Sequence, residues 1–149
     1  PNLNIIRETG SAFTLRAGDL KSRVVDRVSN NGIHTAIIDA SFACHMPDCL
    51  EMPYKPIVSE AMNEVDCAKP TYRMGGNSCL SGDFVGDWSF EHELKEGDVI
   101  TFEDMNHYTT VKTHMFNGIQ HPALLYQHKN GEVEILREFT YEDYKNRMD

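Results

Sequence analysis

The sequence predicts a mainly β fold, either a barrel or a sandwich, because short apolar segments alternate with turn signals along its 149 residues. Three segments are typical of tight turns: Asn-Asn-Gly at 30–32, Lys-Glu-Gly-Asp at 95–98 and Lys-Asn-Gly at 129–131. Three prolines between residues 47 and 56 leave room for at most one helical turn there. These observations favour short strands over long helices.

The expected elements follow in chain order. Strands are expected at 3–7, 12–15, 20–28, 34–39, 71–74, 99–102, 122–128 and 132–137, with a loop at 9–11 and the last two strands paired as a hairpin. Segment 20–28 also fits an amphipathic helix. A short helix is expected to begin near Tyr108 and to stop before Asn117 and Gly118. Thr140 and Asp143 form a capping-box pattern, which predicts a terminal helix.

The charge and the hydropathy pattern argue against two kinds of partner. A formal net charge of −9 and a pI near 5.2 oppose sequence-independent nucleic-acid binding, which needs a basic surface. The apolar runs are too short for a transmembrane helix, and the first residues lack the apolar region of a signal peptide. Because the chain opens without Met inside an expected strand, we expect it to be a piece of a longer, cytoplasmic protein.

The four cysteines, Cys44, Cys49, Cys67 and Cys79, are unevenly spaced. Without an export signal, free thiols are a better interpretation than disulfides. Cys44, His45 and Cys49 cluster as zinc ligands do, but the chain has no Cys-x-x-Cys pair and their spacing is loose for a structural zinc site. No metal is therefore expected, and Cys44 and Cys67 are expected to be small buried side chains.

Two segments carry patterns that a hydrophobic core does not require. In Gly-Gly-Asn-Ser-Cys-Leu-Ser-Gly-Asp at 75–83, Cys79 and Asp83 stand four residues apart in a turn rather than in a helix. Turns on rigid scaffolds are a common place for chemistry. In segment 108–122, the possible short helix is followed by Phe-Asn-Gly at 116–118. These two segments hold the first candidate functional residues.

Four short motifs, taken together and in order, resemble a known enzyme family. Glu-Thr-Gly-Ser at 8–11, Cys-Leu-Ser-Gly-Asp at 79–83, Tyr-Thr at 108–109 and Phe-Asn-Gly at 116–118 are similar to the C-terminal part of the PLP-dependent decarboxylases of the alanine-racemase fold. Segments 39–56 and 102–108 resemble carboxynorspermidine (carboxyspermidine) decarboxylases in particular. The resemblance implies the C-terminal β-barrel or sandwich domain of a fold-type III PLP enzyme. Residues 1–11 would be the last strand and phosphate-binding loop of an otherwise absent (β/α)8 barrel, and residues 12–149 the β domain.

The resemblance also implies which residues contact the cofactor, pyridoxal 5'-phosphate. Glu8 would face the pyridine nitrogen and keep it protonated, so that the ring can accept the electrons left by departing CO2. The amides of Gly10 and Ser11 would cradle the phosphate, and the Tyr108 hydroxyl would donate to it. Thr9 stands where the family usually has proline, and Ser11 where it has Glu or Arg, so this loop is expected to be less rigid.

The catalytic group that the resemblance implies is Cys79. It would reach across a homodimer interface and protonate the carbon that lost CO2. Asp83 would anchor the turn or bind the substrate's amine. Leu80 replaces the acidic residue of ornithine and diaminopimelate decarboxylases, which argues against those two activities. Asp48 and Glu51 are expected to bind ammonium groups of a polyamine substrate, although Asp48 could instead cap the turn at 49–52.

Two classes of function remain open at this point. The first is a decarboxylase of polyamine biosynthesis that converts carboxynorspermidine or carboxyspermidine to norspermidine or spermidine. The second is a non-catalytic β-barrel module for binding or interaction. None of the lysines lies in a context that resembles the Schiff-base lysine, so the chain alone is expected to be inactive. An upstream barrel with that lysine would favour the enzyme.

Overall fold

The computed structural model describes residues 3–62 and 64–148, and its centre is a five-stranded sheet. The strands are β1 (Leu20–Asn30), β2 (Ile33–Ile38), β3 (Thr71–Gly75), β4 (Phe84–Ser89) and β5 (Val99–Phe102). Their order across the sheet is β4-β3-β2-β1-β5. All neighbouring pairs are antiparallel except β2 and β3, which are parallel. A parallel pair needs a long crossover connection, and this one contains two short helices, α1 (Phe42–His45) and α2 (Asp48–Glu51).

The β1–β2 hairpin shows how the sequence specifies the register. Asn31 and Gly32 both adopt positive φ, 50° and 79°, which suits a two-residue turn that matches the twist of the flanking strands. The turn sets Asn30 opposite Ile33. From there the alternation along β2 directs Ala36 and Ile38 into the core.

The core packs aromatic and aliphatic side chains of the sheet against α1. Phe102 of β5 makes edge-to-face contacts with Phe42 of α1 and with Trp88 of β4, at centroid distances of 5.6 Å and 6.2 Å. The indole N–H of Trp88 donates to the Pro56 carbonyl at 3.2 Å, so this buried polar atom is paired. The contact between Phe42 and Phe102 fixes α1 against the sheet.

The C-terminal part is less buried. A short helix, α3 (Tyr108–Lys112), leads into a 3₁₀ turn at Phe116–Gly118, and a separate hairpin follows, made of β6 (Leu124–Gln127) and β7 (Val133–Arg137). The last helix, α4 (Tyr141–Lys145), begins after Thr140, whose backbone N–H donates to the Asp143 carboxylate at 2.7 Å. The described residues contain no helix with the length and hydropathy needed to cross a bilayer.

The mainly β fold class is confirmed, and so are the two hairpins, β5 and the capped terminal helix. Two expected strands are wrong. Segment 12–15 belongs to a 3₁₀ helix at Gly10–Phe13 and the turn after it, and segment 3–7 has no regular secondary structure. Leu3, Ile5 and Ile6 are exposed, and a strand needs neighbours to hydrogen-bond with.

The domain division at residue 11 stays a prediction. Residues 1, 2, 63 and 149 of the two expected domains lie outside the described residues.

Candidate active site

The turn at 76–83 is closed by its last residue. The Asp83 carboxylate is buried and accepts hydrogen bonds from the Ser78 hydroxyl at 2.5 Å and the Ser78 backbone N–H at 3.1 Å. The Gly76 N–H donates to the Asp83 carbonyl at 2.7 Å. Short polar side chains that bond nearby backbone groups favour turns of this kind. Asp83 therefore holds the turn, with Cys79 exposed at its tip.

Asp83 also ties the turn to the core. Its second carboxylate oxygen accepts from the backbone N–H of Ala43, in the first turn of α1, at 3.0 Å. The Asn77 N–H donates to the Ala40 carbonyl just before α1 at 3.0 Å. Of the two roles expected for Asp83, the geometry fits the turn anchor, because both carboxylate oxygens already have partners within the chain.

The two segments singled out by the sequence meet at one contact. The side-chain amide of Asn117 donates to the Sγ of Cys79 at 3.0 Å. Asn117 lies in the 3₁₀ turn with a φ of 54°, a left-handed conformation that Asn tolerates better than most residues. This turn is tied to α1 as well, because the His114 N–H donates to the Cys44 carbonyl at 2.9 Å.

Asp48 is enclosed within the domain, and its predicted contact with substrate stays a prediction. It is buried at the start of α2, and its carboxylate accepts from the Tyr54 hydroxyl at 2.5 Å and from the Thr109 hydroxyl at 3.1 Å. Burial, and then the hydrogen bond to Asp48, raise the pKa of Tyr54 well above its ordinary value, so this phenol stays protonated as a donor. The carboxylate joins α2 to α3 and is almost fully enclosed by the chain itself.

Glu51 and Tyr108 are at the surface beside this cluster. The Glu51 carboxylate forms an ion pair with Lys112 of α3, and both side chains are partly exposed. Tyr108, the first residue of α3, is 48% exposed and is available to a ligand. Glu51 is thus the most accessible of the three predicted substrate carboxylates, since Asp48 and Asp83 are buried.

The 8–11 segment is exposed along its length. A Cβ added at Gly10 would meet no atom within 4 Å, so a ligand can approach the backbone there. Just downstream, the Arg16 N–H donates to Asp104 at 2.6 Å and the Met105 N–H donates to the Gly18 carbonyl at 2.7 Å. These bonds bring the start of the domain beside the loop that leads into α3. Among the described residues, no hydrogen bond links Glu8, Gly10 or Ser11 to Cys79 or Tyr108.

The cysteines divide into two kinds. Burial raises the pKa of the Cys44 thiol, and it raises that of Cys49 to about 11, so both remain protonated and unreactive near neutral pH. Cys67 is exposed, and the expectation of a buried side chain is wrong for it. All four are free thiols.

Within residues 3–62 and 64–148, no group of three or more His, Cys, Asp or Glu side chains is arranged to hold a metal ion.

Comparison with known proteins decides the family. The family model for the C-terminal sheet domain of pyridoxal-dependent decarboxylases matches residues 16–106, more than half of the chain. The chain belongs to this family.

Three related proteins that match nearly the whole chain are decarboxylases. Carboxyaminopropylagmatine decarboxylase of Synechocystis is 49% identical over 99% of the chain. The carboxynorspermidine/carboxyspermidine decarboxylases of Campylobacter jejuni and Herminiimonas arsenicoxydans are 39% and 33% identical over 97% and 99% of it. The chain spans 38%, 40% and 39% of their respective lengths.

Solved structures agree with this assignment. The crystal structure of C. jejuni carboxynorspermidine decarboxylase complexed with norspermidine matches 93% of the chain and 40% of its own, at a TM-score of 0.87 and 38% identity. Diaminopimelate decarboxylase of M. jannaschii matches 92% of the chain and 31% of its own, with a TM-score of 0.73 and 22% identity, and shows the shared fold alone.

Three exposed groups of this chain have the chemistry that the phosphate and the pyridine nitrogen of pyridoxal phosphate require. A phosphate needs N–H and O–H donors and close backbone approach, and the open backbone at Gly10 and the exposed Tyr108 offer them. Glu8 is exposed and carries the kind of carboxylate that a pyridinium N–H would require. The residues present are therefore compatible with the cofactor of the family.

Several hydrogen-bond partners of the candidate site residues were not predicted from the sequence. Thr109 and Tyr54, which bond Asp48, were given no role, and neither was the amide of Asn117. The Phe-Asn-Gly motif was the available signal for Asn117, but it was interpreted as a turn and as a family motif, with no role for its amide. His45 is a further case, since it is buried and its Nδ1 accepts from the Ser41 N–H at 3.1 Å.

Proposed function

We propose that the full-length protein is a PLP-dependent decarboxylase of polyamine biosynthesis. Its substrates would be carboxynorspermidine and carboxyspermidine, and its products norspermidine and spermidine. The observation that carries the proposal is Cys79, an exposed thiol at the tip of a turn fixed by Asp83, in a chain of this decarboxylase family. The protein would work as a cytoplasmic homodimer with active sites shared between subunits.

The bound cofactor would act as an electron sink for the pair of electrons left when CO2 departs. In this chain, Glu8 would hold a proton on the pyridine nitrogen, and Gly10, Ser11 and Tyr108 would bind the phosphate. These groups orient the ring and have no further part in the reaction. Because they lie on exposed segments at the start of the domain and of α3, a ligand can reach them from outside the domain.

Cys79 would deliver the proton that replaces the carboxyl group. The turn keeps its backbone fixed through Asp83, so the thiol can reach a substrate without the turn reordering. The other thiol near this turn, Cys44, is buried, and burial raises its pKa. Cys79 is thus the better proton donor of the two, since only its thiol is accessible.

The cationic substrate would be held by carboxylates. Glu51 is exposed and its ion pair with the Lys112 ammonium is at the surface, so a substrate ammonium would compete with Lys112 for this carboxylate. The enclosed Asp48 and the bonded Asp83 would support the site by positioning α3 and the turn. A net charge of −9 would also attract a polycation at moderate salt.

A second substrate is favoured by one observation. The Synechocystis relative, at 49% identity, is a carboxyaminopropylagmatine decarboxylase, whereas the two carboxynorspermidine/carboxyspermidine relatives are 39% and 33% identical. Agmatine ends in a guanidinium group, which binds a carboxylate in a bidentate way that an ammonium cannot. Carboxyaminopropylagmatine is therefore the alternative substrate.

A substrate panel tests both candidates. The full-length protein, purified with PLP, would be assayed for CO2 release with each of the three carboxylated polyamines, with ornithine and diaminopimelate as controls. We expect at least a hundredfold higher kcat/KM for one of the carboxylated polyamines than for either control. A protein that binds PLP yet releases no CO2 from any of the three would contradict the proposal.

A further inference from the structure

The contact between Asn117 and Cys79 joins two rigid parts of the site. On one side, the Cys79 turn is closed by Asp83, which bonds the Ala43 N–H of α1. On the other side, His114 donates to the Cys44 carbonyl, one residue further along α1. The same helix therefore sets the positions of both the thiol and the amide.

The Asn117 amide is fixed by its own turn as well. The Gly118 N–H donates to the carbonyl of the buried Met115 at 3.0 Å, and the Ile119 N–H donates to the Phe116 carbonyl at 3.1 Å. A Cβ placed on Gly118 would meet the ring of Tyr144 at 3.7 Å, so α4 covers this turn. The left-handed backbone at Asn117 is thus held from both sides, and its side chain points at the sulfur.

We infer that Asn117 is a positioning residue that orients the Cys79 thiol for proton delivery, an inference that rests on the proposed decarboxylase function. The sulfur accepts the amide N–H at 3.0 Å, so the S–H proton is not used in this contact and is left for a substrate. The donated hydrogen bond also becomes stronger as negative charge develops on the sulfur.

Proton delivery by Cys79 breaks one bond and forms another. The S–H bond of Cys79 breaks and its electron pair stays on sulfur, while the electron pair left by departing CO2 forms the new C–H bond. The thiolate then takes a proton from water before the next turnover. Asn117 neither gains nor loses a proton in these steps, because its amide only donates a hydrogen bond to the sulfur.

The test is the substitution Asn117→Asp in the full-length protein. Aspartate has nearly the same size and tolerates the left-handed backbone, but its carboxylate accepts hydrogen bonds and cannot donate one. The same change at Asn31, a positive-φ residue in the β1–β2 turn, is the matched control. Asn117→Gly is the second variant, because Gly adopts the same backbone without strain and lacks the amide.

The first measurement does not depend on activity. Iodoacetamide labelling at pH 7, resolved by peptide mass spectrometry, gives the rate at Cys79 relative to the exposed Cys67 in the same molecule. We expect Asn117→Asp to slow Cys79 alkylation about three- to tenfold, as loss of one hydrogen bond to the thiolate predicts. Asn31→Asp should leave the ratio unchanged. An unchanged or faster rate in Asn117→Asp would overturn the inference.

The second measurement is steady-state kinetics with the carboxylated polyamine that the protein prefers. Both Asn117 variants should lower kcat about tenfold with little change in KM, and more turnovers should end in abortive transamination. Slower alkylation with unchanged kcat would refute a role in catalysis. If the wild-type protein releases no CO2, the proposed function fails and this role fails with it, whereas the alkylation ratio still reports whether the contact exists.

Discussion

The carboxylate of Asp48 accepts a hydrogen bond from the Thr109 hydroxyl at 3.1 Å, and both residues are buried. Tyr54 donates to the same carboxylate at 2.5 Å. Thr109 follows Tyr108 in α3, so the bond fixes the helix that carries the expected phosphate ligand. Buried carboxylates need such partners, since an unpaired charge in the interior is costly.

Replacing Asp48 by Asn should therefore destabilise the domain. Loss of the hydrogen bonds to a charged acceptor is expected to lower the free energy of unfolding by about 1.5–3 kcal/mol. PLP retention by the full-length protein should weaken as well, because α3 loses its attachment. Urea denaturation followed by fluorescence of Trp88, the single and buried tryptophan of the chain, measures the first effect. Equilibrium dialysis of PLP measures the second.

Tyr54→Phe is the control for Asp48→Asn. It removes one donor and should cost about 0.5–1.5 kcal/mol. If Asp48→Asn leaves stability and PLP affinity unchanged but lowers kcat/KM ten- to a hundredfold, Asp48 contacts the substrate, as the sequence alone suggested.

Gly76→Ala should disrupt the turn that carries Cys79. A Cβ at this position would come closer than 3.0 Å to the buried Asp83 carboxylate, which cannot move without losing Ser78 and Ala43. We expect a loss of about 1–3 kcal/mol in the free energy of unfolding. Gly82→Ala is the matched control, because its Cβ would meet nothing within 4 Å. Equal stability of the two variants in urea would show that the turn is not fixed by Asp83.

The domain should lose stability below neutral pH because of His45. Burial, and to a smaller extent the nearby His121, lower the pKa of this side chain from 6.5 to about 4. Between these values the unfolded chain binds one more proton than the folded chain, so the stabilisation is complete above pH 6.5 and is lost as pH falls towards 4. The loss amounts to about 3 kcal/mol.

His45→Asn isolates this effect. Asparagine keeps an acceptor for the Ser41 N–H but does not titrate, so its unfolding free energy should change less between pH 7 and pH 4 than that of the wild type. Urea midpoints at half-unit intervals of pH give the comparison. Parallel pH profiles for the two proteins would exclude His45 as the source.

The proposed dimer with shared sites makes a further prediction. Cys79→Ala, expected to retain about one hundredth of the activity, is mixed with an inactive variant lacking the Schiff-base lysine under conditions of subunit exchange. A symmetric dimer then recovers about a quarter of the wild-type sites. Activity is the measurement, with exchange verified by mass labelling. No recovery despite complete exchange would place each site within one subunit.

Local features were predictable from the sequence, and long-range ones were not. The turn at Asn31 and the capping box at Thr140 depend on neighbouring residues, so their patterns suffice. β4 was missed because Gly86 and Asp87 lower its β propensity, and its pairing partner is set by tertiary structure. The strand at 3–7 was wrongly expected because an apolar run cannot show whether a neighbouring strand exists.

The candidate site divides in the same way. The motif around Cys79 and Asp83 was recognisable from residue types and spacing. The enclosure of Asp48 was not, because Thr109 lies 61 residues away along the chain. The Asn117–Cys79 bond spans 38 residues and depends on α1, whose formation the sequence analysis did not foresee.

Proton delivery by Cys79 is the central claim, and product partition in Cys79→Ala tests it most directly. With Cys67→Ala as the control for an exposed thiol, the full-length variants are assayed for decarboxylated polyamine and for cofactor converted to its amine form by abortive transamination. We expect Cys79→Ala to lower productive kcat by about a hundredfold and to raise the abortive fraction, because general acid catalysis contributes at least that much. If Cys79→Ala matches Cys67→Ala in both kcat and product partition, Cys79 is not the proton donor and the account is wrong.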